Sequence, residues 1–193
     1  MDRHCDNKNR RAAGAGFFAR FLRDREGVTA IEFAALALPF ALLVFAILES
    51  CVSFASQEVM ANATDNVARQ LRTGQLQAAD VDETKVKQMI CNELQLIVAK
   101  NCPGLKVDLR KVDTFEEAAQ LGFRINGNQI VLTKGTADDT FVIKPGPAMS
   151  RNVLRVFYKW PVMTDFMAKA MANMNDGTTL HFASTIWQNE PFN

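Results

Sequence analysis

The chain has 193 residues, enough for one compact domain with length left over for a terminal extension or an anchor. Its 22 Lys and Arg against 21 Asp and Glu leave a formal charge of +1 at pH 7, so no broad single-sign field argues for nucleic acid as a partner. The charge that stands out is local: Arg3, Lys8, Arg10, Arg11, Arg20, Arg23 and Arg25 all precede an apolar stretch that opens at Val28.

Residues 1–26 carry few large apolar side chains before Phe17, the composition of a leader that is disordered or lies on a membrane surface. The stretch GVTAIEFAALALPFALLVFAILES follows, from Gly27 to Ser50, with Glu32 and Glu49 as its only charges. As a helix, Val28 to Leu48 reaches about 30 Å, the thickness of a bilayer's hydrocarbon core. The rival is a buried helix of a soluble protein, but such helices show a polar stripe, and Phe33 to Leu48 has none. With the basic residues before the span, the positive-inside rule puts residues 1–26 in the cytoplasm and everything beyond Ser50 outside. The expected organisation is a basic leader over 1–27, a transmembrane helix over 28–50 and an outer domain over 51–193.

Val59, Ala63, Val67 and Leu71 recur every four residues, which predicts that the helix continues, now amphipathic, until Gly74 stops it. A second helix, capped by Asp80 or Asp82, should carry Val86, Met89, Ile90, Leu94, Ile97 and Val98 to about Lys100. Beyond Pro103 the period falls to two. Leu105, Val107 and Leu109 alternate with Lys106, Asp108 and Arg110, as in a half-buried strand. Phe123 and Ile125 lead through Asn126-Gly127 to Ile130, Val131 and Leu132, a hairpin pattern. A short strand is expected over Thr140–Lys144, ahead of the turn at Pro145-Gly146-Pro147. Leu154, Val156, Tyr158 and Trp160 form the clearest strand. A helix from Asp165 to Met174 and a final strand through Leu180, Phe182, Ser184 and Ile186 complete the chain.

Cysteine placement adds to the topology. Cys5 falls in the leader and Cys51 at the membrane edge, whereas Cys91 and Cys102 lie on the outer, oxidising side, close in sequence. A disulfide between those two is expected, the alternative being two reduced thiols with one on a helix face. Metal binding has no second cysteine pair or nearby histidine to support it.

Catalytic patterns are absent. His4 sits in the leader and His181 in a predicted strand, as a residue of one face. Glu116-Glu117 and Asp138-Asp139 read as solvated faces, and no glycine-rich phosphate loop occurs. The chain is therefore not expected to be an enzyme or to hold a cofactor. Ser53-Phe54-Ala55 has small residues at the offsets used by signal peptidase, which would release a domain starting at Ser56, but the apolar core before it exceeds a usual signal sequence. Asn62-Ala63-Thr64 fits a glycosylation acceptor by chance.

One constellation is informative. Arg23, Arg25 and Gly27 are followed at once by Val28-Thr29-Ala30-Ile31-Glu32-Phe33 and the apolar run. This looks like the class III signal of type IV pilin-like proteins, in which a prepilin peptidase cuts after the glycine and leaves a glutamate at the fifth mature position. Gly27, Val28 and Glu32 match that spacing, and glycine lets backbone enter a narrow active site. An ionised carboxylate in lipid is unfavourable by roughly 2.5–3.5 kcal/mol on insertion scales. The resemblance assigns Glu32 to neutralising a neighbouring subunit's new terminal amine, and the alternative is that it snorkels to the headgroups.

The phrase REGVTAIEFAALALPFALLVFAILE, with Pro39 inside it, and the terminal Asn189-Glu190-Pro191-Phe192 are similar to the TadE-like family of the tight-adherence, or Flp type IVb, pilus system. That resemblance covers both ends of the chain. Val28 stands where conventional type IV pilins have phenylalanine, and Phe33 where Flp-type pilins have tyrosine, which favours a minor pseudopilin over a main filament subunit. The implied fold is α+β and type IV pilin-like, a long N-terminal transmembrane helix packed on an antiparallel sheet with extra helices. The implied setting is the bacterial inner membrane, with residues 51–193 periplasmic. The implied partners are prepilin peptidase, the membrane and other pilus or secretion subunits. The rival reading is an unprocessed, single-pass anchor for a periplasmic binding domain.

Overall fold

The computed structural model describes residues 28–192; the leader, Gly27 included, lies outside them. The arrangement is α+β: a long apolar helix followed by two sheets and several short helices. Compactness divides the chain between Ile47 and Leu48.

The first part belongs to α1, a 45-residue helix over Val28–Arg72 that continues into the second part. From Val28 to Ile47 every residue is exposed except Ala37 and Ala46, which are half-buried. Pro39 lies inside the helix, so the carbonyl four residues earlier, at Ala35, receives no N–H from it.

In the second part, from Leu48 onward, α1 acquires a buried face: Met60, Ala63, Thr64, Val67, Ala68 and Leu71. The repeat is the expected one, shifted so that Met60 is fully buried and Val59 only borders the core. α1 ends at Arg72, and Gly74 turns the chain away with a φ of +74°, the left-handed conformation that glycine adopts without penalty. A single 3-10 turn, Ala78–Asp80, leads to α2, Glu83–Leu94. The Asp82 side chain accepts from the Lys85 N–H at 2.6 Å and so caps α2. This helix stops six residues before the expected Lys100. Residues 95–102 instead fold back, with Asn101 and Cys102 both at positive φ, while Ile97 and Val98 still rest against the core.

Four strands form the main sheet in the order β5-β1-β6-β7: β1 Lys106–Val112, β5 Ile143–Lys144, β6 Arg151–Pro161 and β7 Thr178–Gln188. β1–β6 and β6–β7 are antiparallel, and the short β5 runs parallel to β1. Only Ile143 and Lys144 of the expected Thr140–Lys144 strand pair in this sheet. A separate antiparallel sheet is built from β2 Leu121–Asn126, β3 Gln129–Lys134 and β4 Ala137–Asp139. Asn126 pairs with Gln129, so the hairpin loop is Gly127-Asn128, one residue later than the sequence suggests. Gly127 supplies its positive φ of +60°. The short helices are α3, Phe115–Ala119, and α4, Asp165–Met171; α4 ends three residues early because Asn173 and Met174 donate to the Thr178 carbonyl.

The main sheet is covered on both faces. Leu105, Val107, Leu109, Leu154, Val156, Tyr158 and Trp160 pack with α1 and α2. Phe157, with Phe123, Phe141 and Phe182 around it, packs with Ile130 and Leu132 of the second sheet. β6 is therefore buried over seven consecutive residues, Asn152–Tyr158, while β1 keeps Lys106 and Lys111 exposed and departs from the half-buried pattern at Asp108. Asp108, on its supposed polar face, is completely buried beneath the second sheet.

Candidate functional site

Of the sequence-derived site residues, Gly27 lies outside the described residues. Val28 is the first residue of α1 and is exposed. Glu32, one turn on, is also exposed and makes no hydrogen bond or ion pair among the described residues. Around it Ile31, Phe33, Leu36, Leu38 and Phe40 are more than half exposed. Ala34, Ala37 and Ala41 fall at helical spacing on one side of this stretch, next to Ala35. No residue in the helix's most apolar window is buried, and the window's mean hydropathy is 2.5. The helix is thus long and apolar enough to cross a membrane once, and the apolar side chains of this stretch have no covering among the described residues.

In the second part, Cys91 on α2 and Cys102 in the turn before β1 are joined by a disulfide, with their Cα atoms 5.7 Å apart. The bridge closes a short loop, worth about 3 kcal/mol in the chain-entropy account, and it pins the unusual backbone at Asn101 and Cys102. Cys51 is free and exposed. A cleft of about 550 Å³ beside the disulfide is lined by Lys87, Gln88, Asn92 and Gln95 among others. No His, Asp or Glu lines it, so it offers no acid–base pair.

Buried polar residues in this part hold the elements in register. Asp108 on β1 accepts from Arg155 Nη2 at 2.8 Å and Nε at 3.0 Å, from Arg110 Nη2 at 2.5 Å, and from the Val142 N–H at 3.0 Å. Arg155 also donates to the Gly122 carbonyl, and Arg110 to Asp139 and the Thr140 carbonyl. Two carboxylates and two guanidiniums thus tie β1, β6, β2 and β4 together. Burial alone would lower the Arg110 pKa, but Asp108 and Asp139 outweigh it and hold the guanidinium above its ordinary value. Burial would likewise raise Asp139, and the Thr140 N–H and Arg110 reverse that, holding it below the usual carboxylate range. The reading of Asp138-Asp139 and Glu116-Glu117 as solvated faces is corrected in part. Asp139 belongs to this quartet, and Glu117 accepts from the Asp113 N–H at 2.8 Å and from Lys134 at 2.6 Å.

His181 on β7 is buried, stacked on Trp160 at 5.4 Å, and its Nε2 lies 3.1 Å from Ser53 Oγ of α1. Burial pushes its pKa down to about 4. A serine and histidine in contact invite comparison with a nucleophile and its base. Here both are closed off from solvent, the imidazole is a weak base, and Nδ1 has no partner to orient it among the described residues. The pair is a packing contact between helix and sheet. Ser53 and Ser56, three residues apart on α1, are buried on the same face as Met60. That spacing is the signal by which sequence reading could have found them.

Two further contacts escaped sequence reading. Glu49, which seemed only to end the apolar run, is buried and accepts from the N–H groups of Met163 and Thr164 and, at 2.7 Å, from Thr164 Oγ1. The terminal Asn189-Glu190-Pro191-Phe192 forms a latch. The Asn189 side chain accepts from Trp187 Nε1 at 2.7 Å and donates to the carbonyls of Gly146 and Pro147. The Glu190 N–H satisfies the Arg72 carbonyl at the end of α1 at 2.9 Å. Phe192 covers Gly74 so closely that a Cβ there would stand 2.5 Å from its ring.

No curated protein and no solved structure matches the chain. The family model described as TadE-like protein matches residues 27–69, and this TadE-like segment, carried on an exposed apolar helix, fits a single-pass, membrane-anchored component associated with a tight-adherence pilus.

Proposed function

We propose that the protein is a minor pseudopilin-like assembly component of a tight-adherence pilus or secretion system, acting by binding and not by turnover. In this reading residues 1–27 are a cytoplasmic leader, 28–50 cross the inner membrane, and 51–193 fold in the periplasm. Prepilin peptidase cuts between Gly27 and Val28. The observation that carries the proposal is Glu32: a lone carboxylate, exposed and without a partner among the described residues, on a helix whose neighbouring side chains are apolar and equally exposed, within the TadE-like segment. A group that disfavours lipid is best explained by a partner that supplies its counter-charge, and the terminal ammonium of another processed subunit is such a partner. Ala34, Ala35, Ala37 and Ala41 give a second helix room to approach closely.

The order of basic residues before the span supports the orientation, and the Cys91–Cys102 bridge suits an oxidising compartment. N-terminal sequencing of the membrane-extracted protein tests the processing step. A mature chain starting at Val28 is expected, and Gly27→Phe should leave the full-length chain inserted in the membrane. A chain starting at Met1 would favour a plain anchored binding domain, and one starting at Ser56 a secreted domain.

A further inference from the structure

Outside the span, two large apolar side chains stand exposed at the start of α4. Met163 and Phe166 are 72% and 66% exposed, while Met167 beside them is buried. Together the two exposed side chains form a small apolar patch. Their place is fixed by Glu49, whose carboxylate receives the Met163 and Thr164 N–H groups and the Thr164 hydroxyl. Ser50 reinforces the contact, its hydroxyl 3.8 Å from the Met171 sulfur at the other end of α4. Glu49 directly follows Leu48, where the apolar run ends, and one helical residue advances only about 1.5 Å. Leu48, Val52 and Phe54 on the same turns of α1 are exposed too.

We propose that Met163 and Phe166 form an apolar foot that enters the headgroup–acyl boundary of the bilayer at the point where α1 leaves it. The inference rests on reading Val28–Leu48 as a membrane span. Lipid is the occupant that continuity favours, because the foot is hydrogen-bonded to the residue that ends the span. The composition agrees: two flexible or aromatic apolar side chains, with Lys169 exposed three residues beyond Phe166, reproduce on a small scale an interfacial segment whose lysine reaches phosphate while its apolar side chains enter the acyl region. Glu49 would otherwise present a carboxylate to the headgroups; here its oxygens are occupied by α4.

The test uses the full chain with Cys5→Ser and Cys51→Ser, which leaves the disulfide as the only cysteine pair. Single cysteines are then introduced by Met163→Cys, Phe166→Cys, Phe40→Cys or Phe115→Cys and labelled with an environment-sensitive nitrobenzoxadiazole dye. Each protein is reconstituted in phosphatidylcholine–phosphatidylglycerol vesicles carrying a nitroxide either near the headgroup or deep in the acyl chain. Labels at 163 and 166 should shift to the blue and lose emission to the shallow nitroxide more than to the deep one. The label at 40 should lose it to the deep nitroxide, and the one at 115 to neither. If 40 is quenched while 163 and 166 behave like 115, the foot is wrong and the span stands. If 40 escapes both nitroxides, the span itself fails and the foot with it. A blue shift at 163 and 166 without quenching by either lipid would mean that protein covers the patch, which also overturns the proposal.

Discussion

Asp108 is fully buried between two sheets, and its oxygens are held by Arg110, Arg155 and the Val142 N–H. Taking away one guanidinium leaves a buried acid without its main partner, a change that costs about 3–5 kcal/mol in comparable pairs. Arg155→Met should therefore lower stability by that order in denaturant unfolding, and adding Asp108→Leu should recover much of it. A double variant as unstable as the sum of the single changes would show that Arg155 acts by packing alone. His181 works through pH. Its pKa falls from an ordinary 6.5 to about 4 because the ring is buried, so the unfolded chain takes up the proton first. The stability this represents is whole above about pH 6.5 and is lost as pH falls from there toward 4, up to about 3 kcal/mol. Denaturation midpoints of detergent-solubilised protein at pH 7.5 and pH 4.5 should show the loss, and His181→Phe should reduce it. Asp139, whose pKa is held low, contributes a loss at lower pH that the His181 variant leaves in place.

At the scale of elements, the latch formed by residues 189–192 explains a terminal motif that the sequence presents only as a resemblance. Gly74 has a positive φ and no space for a Cβ beneath Phe192, so Gly74→Ala pays both backbone strain and displacement of the ring, about 1–3 kcal/mol. Phe192→Ala should restore the space but not the φ. In the Phe192→Ala background, Gly74→Ala should therefore cost less than in the parent chain, as read by thermal unfolding. Equal costs in the two backgrounds would mean that the ring does not press on Gly74. The elements themselves were largely legible: α1, a cap at Asp80 or Asp82, β1, the hairpin, β6 and β7 all follow from periodicity and turn residues. What escaped was the second sheet's position over the first. Its signal in β6 was mixed, because Val153 and Phe157 share the side opposite Leu154, Val156 and Tyr158 with Arg151, Arg155 and Lys159. Only the second sheet, folded over that side, makes Arg155 a buried partner of Asp108. The fold-back after α2 was hidden for another reason: Ile97 and Val98 keep helical spacing while touching the core from a turn.

For the whole molecule, the functional segment and the folded part owe their character to different physics. The segment from Val28 to Ile47 is informative because its large apolar side chains are exposed among the described residues, with one carboxylate among them. That much is readable in sequence, since length, hydropathy and one charge suffice. Two contacts were not readable, Glu49 with Met163 and Thr164 and Ser53 with His181, because each forms only once α1 has folded against the chain ahead of α4 or against β7. We propose that Glu32 serves assembly while folding and insertion proceed without it. The direct measurement is to count surface pili in cells carrying Glu32→Ala, alongside membrane abundance of the protein and formation of its Cys91–Cys102 bridge. Abundance and bridge should be unchanged and pili lost. Normal piliation by the variant would contradict the claim and leave Glu32 as a carboxylate that merely reaches the headgroups.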